Sequence, residues 1–263
     1  MEYTLALPLI IALLGALVGS FLNVVILRLP QEGASVVFPA SHCPKCKHNL
    51  SWYENIPVLS YCCLLGRCRS CKEKISLQYP LVEIAMSLSS LALFYHLGAT
   101  LTFVGYFLFL AALICIIFID IHHQIIPDVL SIPGIILGLL FSFVNSEVQP
   151  LDSLIGVLAG GGTLYLIAWG YYLLRKQDGM GGGDIKLLGM LGAWLGWQSL
   201  LFIVFASSLF GAIIGISVLK IKGKESNTRI PFGPFLSLAG ISYLFWAEQI
   251  QHYWNLYLTG QLF

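Results

Sequence analysis

The sequence has little charge, and this scarcity indicates its class. Asp, Glu, Lys and Arg together make up 10% of the 263 residues, while hydrophobic residues make up 57%. Soluble domains are about 25% charged, so the composition excludes an ordinary soluble protein. Nucleic acid is also excluded as a partner, because the net charge is +1 and phosphate binding needs a concentrated excess of Lys and Arg. The composition predicts an all-α polytopic membrane protein.

Basic residues are absent before the first apolar run, which covers residues 4–27. A secretory signal has a basic start and a shorter apolar core, so we expect this run to be a retained first helix. A membrane span needs about 20 apolar residues. On that measure we predict about eight transmembrane helices. They lie at residues 5–27, 80–97, 101–119, 129–145, 152–174, 185–198, 199–219 and 231–248, with an inferred break near Gly196.

Basic residues are also absent from residues 75–174 and after Arg229. All 14 of them fall in three groups, within residues 28–74, 175–186 and 220–229. The positive-inside rule places each group in the cytoplasm, which requires an even number of crossings between successive groups. Four crossings fit the first gap and two fit the second, so the count of eight holds with both termini outside.

The loop after the first helix, residues 28–79, contains two C-x-x-C pairs. Cys43 and Cys46 form one pair and Cys68 and Cys71 the other, with 21 residues between the pairs. This spacing is near that of zinc ribbons, so we predict a structural zinc site in a small cytoplasmic zinc-ribbon-like loop. Disulfides or incidental cysteines are disfavoured by a cytoplasmic location, and a redox pair lacks its usual βαβ surroundings. The other three cysteines are interpreted as packing residues: Cys62, Cys63 and Cys115.

Two carboxylates are expected to meet at the inner membrane interface. Asp120 ends an apolar run that enters the cytoplasm, and Asp184 begins one that leaves it, so both should lie at one depth on different helices. An ionisable residue at membrane depth is a functional candidate. Neighbouring carboxylates repel each other, so one keeps a proton and the pair supplies both an acid and a base. Such a pair activates water for peptide-bond hydrolysis without a metal or a nucleophilic side chain.

Glycines occupy positions 181–183, directly before Asp184. Glycine has no side chain, so we expect Gly181 and Gly183 to let an extended substrate backbone approach closely while the chain bends. A break in a helix at that depth is acceptable only where the backbone lines a wet or protein-filled cavity.

Three alternatives remain open at this point. Asp128, which follows Pro127, and Asp184 are candidates to cap helices in a plain turn at the inner interface. A transporter that uses Asp120 as a proton site is the second alternative, and a non-enzymatic scaffold is the third. We interpret the remaining acids as solvated or helix-end charges: Glu147, Asp152, Asp178, Glu225 and Glu248.

Several longer motifs follow one another along the chain. They are Gly19-Ser-Phe-Leu-Asn-Val-Val, Arg28-Leu-Pro, both C-x-x-C pairs, Trp52-Tyr-Glu-Asn-Ile-Pro-Val-Leu-Ser-Tyr, Tyr79-Pro-Leu-Val-Glu, Ile119-Asp-Ile-His-His-Gln-Ile-Ile-Pro-Asp and Gly181-Gly-Gly-Asp-Ile-Lys. In these motifs, over nearly its whole length, the sequence resembles the type IV prepilin leader peptidases. That family consists of bifunctional membrane enzymes of the aspartic G-x-G-D class.

The resemblance implies that Asp120 and Asp184 are the catalytic aspartates and that the four paired cysteines bind the metal, with no metal at the protease site. Family members cut a short basic leader from prepilins and pseudopilins at the cytoplasmic face of the bacterial inner membrane. They then methylate the new amino terminus with S-adenosylmethionine as donor. The implied partners are therefore pilin substrates and the lipid bilayer. Many relatives carry an acid where this chain has His122, which lies outside the catalytic pair.

The resemblance also implies two regions with different functions. Residues 1–79, the first helix and the four-cysteine loop, are linked to methylation, and residues 80–263 form the transmembrane aspartic peptidase domain. No glycine-rich nucleotide motif marks a methyl-donor site. Glu54 and Asn55 are candidates for methylation because they are polar within an apolar segment, and ordering the loop by hydrogen bonds is an equal alternative. The residues leave open the role of Asp128, the oligomeric state, and the choice among pilus assembly, type II secretion and competence.

Overall fold

The computed structural model describes residues 6–31, 33–177, 181–222 and 230–258. These residues form helices and contain no β-strand, which confirms the predicted all-α fold class for this part of the chain. The elements are α1 (Ala6–Arg28), a 3-10 turn (Trp52–Asn55), α2 (Leu59–Cys63), α3 (Gln78–Leu97), α4 (Leu101–His123), α5 (Asp128–Phe141), α6 (Pro150–Arg175), α7 (Gly182–Leu195), α8 (Gln198–Lys222) and α9 (Gly233–Leu258).

All eight predicted apolar segments are helical in the structure, from α1 and α3 through to α9. Among the described residues, five helices are long and apolar enough to cross a membrane: α1, α3, α4, α6 and the Gln198–Ser217 part of α8. They make the chain a multi-pass membrane protein, while the count of eight crossings stays a prediction. The largest difference in boundaries is at α9, which kinks at Trp246 near the predicted end and continues as a more polar helix to Leu258.

The inferred break between the sixth and seventh segments is confirmed at Gly196. The helix α7 ends at Leu195 and α8 begins at Gln198. Gly196 has φ +77°, a backbone conformation that side chains with a Cβ rarely adopt, and its N–H donates to the Gly192 carbonyl. With ψ 165° this is not the left-handed helical conformation, but it is one that glycine adopts readily, so glycine allows α7 to end here.

The structure divides into two compact units, Met1–Ile119 and Asp120–Phe263. In the first unit α3 packs against α1, and small residues allow a close approach of the two backbones. A Cβ added at Gly15 would lie 2.1 Å from Ser90 Oγ, and one at Gly19 would lie 2.7 Å from Glu83 Cα. The buried amide of Asn23 donates to the Tyr79 carbonyl at 3.1 Å and links α1 to the start of α3.

In the second unit α7 is the central helix, since every residue from Leu187 to Leu195 is buried. A Cβ added at Gly156 of α6 would lie 2.2 Å from the Gly192 carbonyl oxygen, so these helices touch through glycine. On another side the Trp194 indole N–H donates to the Gly134 carbonyl of α5 at 2.8 Å. This packing fixes the start of α7, where Asp184 lies. Asp178 and Glu225 lie outside the described residues.

Candidate functional site

Asp120 lies near the end of α4, and its side chain is held by the start of α9. The residue is 4% exposed, and its Oδ2 accepts the backbone N–H of Gly233 at 2.9 Å. Gly233 is the first residue of α9, so the carboxylate meets the positive end of a helix dipole. A Cβ at Gly233 would lie 2.6 Å from Asp120 Oδ2. Only glycine permits this approach without a shift.

Asp184 lies in the first turn of α7 and is half-buried. Its carboxylate is close enough to Asp120 for the two charges to interact. Ile126 packs beside Gly183, which precedes Asp184, and beside Gly233, which donates to Asp120, because added Cβ atoms at these glycines would lie 2.9 Å and 3.1 Å from its side chain. Asp120, near the end of α4, and Asp184, in the first turn of α7, thus both belong to the second unit and adjoin the same packing around Ile126.

The glycines before Asp184 differ in what surrounds them. Gly181 has φ −71° and ψ 140°, an extended conformation that any residue adopts. Among the described residues, a Cβ at Gly181 would have its nearest neighbour at 3.6 Å, and one at Gly182 would meet nothing within 4 Å. Gly183 instead packs against Ile126. The motif therefore combines open space at Gly181 and Gly182 with close packing at Gly183, and no unusual backbone angle at Gly181 requires glycine.

Asp128 is paired with a base and is not a helix cap. Its two carboxylate oxygens accept Lys186 Nζ at 2.6 Å and 2.7 Å. The N-cap position of α5 is occupied by Pro127 and that of α7 by Gly181, so neither Asp128 nor Asp184 caps its helix. The ion pair is largely exposed, and such pairs contribute about 0–1 kcal/mol.

The four predicted zinc ligands are gathered in the first unit. Their Sγ atoms all lie within 4.8 Å of one another. The Cys43–Cys71 and Cys46–Cys68 sulfur pairs are 3.8 Å and 3.9 Å apart. A tetrahedral zinc ion with Zn–S bonds of about 2.3 Å requires sulfur separations of about 3.8 Å, so the cluster fits zinc. Bound there, the ion would supply cross-links that close the loop.

Two turns of the same form build this cluster. In the first turn the Cys43 N–H donates to the His48 carbonyl and the Lys47 N–H donates back to the Cys43 carbonyl, both at 2.9 Å. The second turn repeats this pattern, from Cys68 to Glu73 at 2.8 Å and from Lys72 to Cys68 at 3.0 Å. A lysine with positive φ follows the second cysteine of each pair, Lys47 at 55° and Lys72 at 60°.

Glu54 lies in the 3-10 turn, which is between the two cysteine pairs in the same loop, and its hydrogen bonds order that turn. Its Oε2 accepts the Ser51 N–H at 2.8 Å and lies 3.3 Å from His48 Nε2. The Ser51 N–H, with a smaller contribution from His48, holds the pKa of the Glu54 carboxyl below its ordinary value. Asn55 ends the same turn and is exposed. The loop-ordering alternative for Glu54 is thus observed, and a role in methylation stays a prediction for both residues.

Sequence reasoning missed Gly233 as part of the aspartate site. The available signal was Pro231-Phe-Gly-Pro234 at the start of the last apolar segment, since proline and glycine mark a chain turn. The signal indicates a turn but not its partner, because Asp120 lies 113 residues earlier in the chain.

Known proteins resemble this chain over nearly its full length. Residues 13–97 match a family model described as Bacterial Peptidase A24 N-terminal domain, and residues 107–216 match the Type IV leader peptidase family. A prepilin leader peptidase/N-methyltransferase of Pseudomonas aeruginosa is 41% identical, with 95% of this chain and 93% of that protein covered. Proteins of the same name from Stutzerimonas stutzeri and Aeromonas hydrophila are 40% and 38% identical. They cover 94% and 96% of this chain and 93% and 94% of their own lengths.

No solved structure matches this chain. The sequence relatives carry the assignment, because an identity of 41% over 95% of the chain is a match of whole proteins. The chain belongs to the type IV leader peptidase family, as the resemblance in its motifs implied.

Proposed function

We propose that this protein cleaves the basic leader peptide of type IV prepilins or pseudopilins with Asp120 and Asp184. The observation that carries the proposal is that both aspartates adjoin the packing around Ile126: Gly183, which precedes Asp184, packs against Ile126, and so does Gly233, which holds the Asp120 carboxylate. Two like charges at such a site share a proton, and the proton belongs to the pair. The site then holds one general acid and one general base, as hydrolysis of an amide requires.

The reaction follows from these two groups. The unprotonated carboxylate takes a proton from a water molecule, and the oxygen of that water attacks the scissile carbonyl carbon. The protonated carboxylic acid donates to the carbonyl oxygen, and the resulting tetrahedral intermediate breaks its C–N bond. The departing amine takes a proton from the aspartic acid that deprotonated the water, and a hydroxyl of the intermediate returns its proton to the other aspartate, so the pair again holds one proton. The Gly233 N–H holds Asp120 in place through this cycle.

The open space at Gly181 and Gly182 supports an approach of the substrate backbone from that side. A Cβ there would meet no atom closer than 3.6 Å among the described residues, so that part of the protein leaves space beside these two glycines. Gly183 contributes by letting α7 start close to Ile126. We propose that the leader passes along Gly181 and Gly182 toward Asp184.

The proposed orientation rests on the distribution of basic residues. Both termini lie outside, and the four-cysteine loop and both aspartates face the cytoplasm of a bacterial inner membrane. A basic leader retained in the cytoplasm would end at that membrane face. The four cysteines hold a structural zinc ion within the loop.

We propose that the region 1–79 supports the second activity and that region 80–263 is the peptidase domain. The new amino terminus attacks the methyl carbon of S-adenosylmethionine with its nitrogen lone pair. The carbon–sulfur bond breaks, its electrons pass to sulfur, and the methylated ammonium product loses a proton. Glu54 and Asn55 in the 3-10 turn are the proposed contributors. The names of the relatives, which include N-methyltransferase, support this half.

Mass spectrometry of a full-length prepilin incubated with the purified protein and S-adenosylmethionine tests both activities. A shortened pilin with one added methyl group is the expected product. Asp120→Asn and Asp184→Asn should each leave the protein folded and abolish cleavage, while the matched variant Asp128→Asn should still cleave. Cleavage at the parental rate by either dyad variant contradicts the proposal. A non-enzymatic scaffold protein would keep its function in all three variants.

A further inference from the structure

The loop between α1 and α3 folds back onto a membrane helix. The backbone N–H of Val58, in the middle of the loop, donates to the buried carboxylate of Glu83 at 2.7 Å. Glu83 is the sixth residue of α3, a helix long and apolar enough to cross a membrane, so it lies about 8 Å along the axis from the first residue. The middle of the loop is thus held beside the second turn of a membrane helix.

Apolar side chains on α3 mark the depth of this contact. Exposed leucine and isoleucine side chains recur at helical spacing from the start of the helix: Leu77, Leu81, Ile84 and Leu88. An exposed apolar stripe on a membrane helix requires apolar surroundings. The stripe begins before Glu83, so Val58 is held at a depth where α3 already has apolar surroundings.

The fold specifies the turn at Val58. The Leu59 N–H donates to the Pro57 carbonyl at 2.6 Å, which makes a three-residue turn around Val58. Val58 has φ 60° and ψ −48°, a rare conformation for a β-branched residue. Such a conformation persists where the surrounding structure enforces it, and here the bond to Glu83 holds the turn. A specific contact therefore places this part of the loop at the membrane.

The chain around this turn, residues 52–59, displays apolar side chains. Trp52 is 80% exposed and Leu59 is 63% exposed, and Tyr53 is also exposed. The Ser60 hydroxyl donates to the Tyr53 carbonyl at 2.7 Å, which ties the 3-10 turn to α2. Tryptophan and tyrosine are enriched at membrane–water interfaces, because their rings are apolar with a polar edge. Segment 52–59 therefore has the composition of an interfacial segment as well as the depth of one.

Basic side chains adjoin these aromatic residues. The Arg69 guanidinium lies over the Tyr53 ring, 5.3 Å from its centroid, and donates to the Tyr53 hydroxyl. Arg69 belongs to the second cysteine turn, and Glu73 of that turn pairs with Lys45 of the first turn at 3.1 Å. Residues 28–79 contain seven basic and three acidic residues, a net charge of +4. Basic residues near a membrane surface are attracted to anionic lipids.

We propose that segment 52–59 docks on the lipid surface. Trp52 and Leu59 enter the boundary between headgroups and acyl chains, and bases of the cysteine turns, Arg69 among them, contact anionic headgroups. The occupant of this surface is lipid, because Glu83 holds the segment at membrane depth and the loop carries a charge opposite to that of an anionic headgroup. Glu83 is a positioning residue, since it acts through Val58.

Tryptophan fluorescence of the full-length protein in lipid nanodiscs tests the docking. The discs contain phosphatidylcholine with or without phosphatidylglycerol, and the acyl chains are either ordinary or brominated. The difference between the parent protein and Trp52→Phe isolates the emission of Trp52. Brominated lipid should quench this emission, and acrylamide in the water should not. Both faces of a disc have the same lipids, so the result does not depend on which side of the membrane the loop occupies.

Two exposed side chains give the test variants, each measured with and without Trp52→Phe. Leu59→Ser should reduce the quenching of Trp52 by brominated lipid. Leu151→Ser is the matched control, since Leu151 is 65% exposed and lies in the first turn of α6 in the other unit, and quenching should stay at the parental level. Arg69→Met should lower the ratio of docked to undocked loop about fivefold in discs with phosphatidylglycerol and should have little effect in phosphatidylcholine alone.

Substitution of Glu83 separates its positioning role from a general effect of its charge. Glu83→Leu removes the acceptor of the Val58 N–H, so brominated lipid should no longer quench Trp52 and acrylamide should. Glu83→Gln keeps a carbonyl oxygen as acceptor and should behave as the parent. The exposed variants at Leu59 and Arg69 decide the proposal if Glu83→Leu does not fold.

Two outcomes would overturn the proposal. If acrylamide quenches Trp52 of the parent protein and brominated lipid does not, segment 52–59 stands in water. If neither agent quenches it, protein covers Trp52, such as a second copy of this chain, and lipid is again excluded. Cleavage and methylation of prepilin are measured separately, so either outcome leaves the proposed function standing.

Discussion

Gly233→Ala should disable cleavage although residue 233 carries no chemical group of its own. The added Cβ would lie 2.6 Å from Asp120 Oδ2 and 3.1 Å from Ile126 Cδ1. Alanine keeps the N–H that donates to Asp120, so the change tests position and not the loss of a donor. The carboxylate has to yield, because Ile126 occupies the neighbouring space.

The size of the effect follows from the displacement. Ordinary van der Waals contact begins at 3.4 Å, so Asp120 and residue 233 must separate by about 0.8 Å. A misplacement of about 1 Å in a catalytic group costs roughly 100-fold in rate. We expect kcat/KM for prepilin cleavage to fall by about that factor, which corresponds to about 2.7 kcal/mol of transition-state stabilisation.

The assay is a time course of leader removal, followed by mass spectrometry, for Gly233→Ala and for Gly162→Ala as a control. A Cβ at Gly162, inside α6, meets no atom within 4 Å of the described residues, so this variant should cleave at the parental rate. Methylation of pilin that was cleaved beforehand should be unchanged in both variants. A folded Gly233→Ala protein with parental kcat/KM would refute the role assigned to the Gly233 contact.

Lys186→Met should lower the melting temperature only slightly, since its exposed pair with Asp128 contributes about 0–1 kcal/mol; a fall of more than about 10 °C would contradict this. Removal of zinc by a chelator should abolish methylation and spare cleavage, as product masses will show. The lowered pKa of Glu54 makes its stabilising contribution complete above the ordinary value of 4.5 and lost as the pH falls through the lower folded value. The melting temperatures of the parent and Glu54→Gln should therefore differ at neutral pH and converge in acid, and a constant gap would disprove this role.

The helices were predictable because each one is a local property of the sequence. About 20 apolar residues in a row specify a membrane helix wherever the rest of the chain lies, and all eight predicted segments are helical. The cysteine cluster was predictable for a similar reason, since two C-x-x-C pairs can satisfy a tetrahedral ion in few ways. The prediction that Asp120 and Asp184 lie together followed from membrane depth, a constraint that acts on both residues at once.

The supporting contacts were not predictable, because each depends on where a distant segment packs. Gly233 meets Asp120 across 113 residues, and no periodicity or spacing in the sequence encodes that pairing. The positive φ at Val58 is similar, since β-branched residues avoid this conformation and the Val58 N–H donates to Glu83, 25 residues away. The chemical groups of a site can thus be recognised in the sequence, whereas the long-range contacts that position them cannot.

The chemistry also imposes an order on the two proposed activities. Before cleavage, the nitrogen that will receive the methyl group is an amide, and its lone pair is delocalised into the carbonyl and is a poor nucleophile. The dyad must therefore act first, so Asp184→Asn should block methylation of a full-length prepilin and leave methylation of pre-cleaved pilin intact. Omission of S-adenosylmethionine should have the opposite effect, with pilin cut but unmethylated. A methylated pilin formed from full-length substrate without a working dyad would break this order, and with it the assignment of hydrolysis to Asp120 and Asp184.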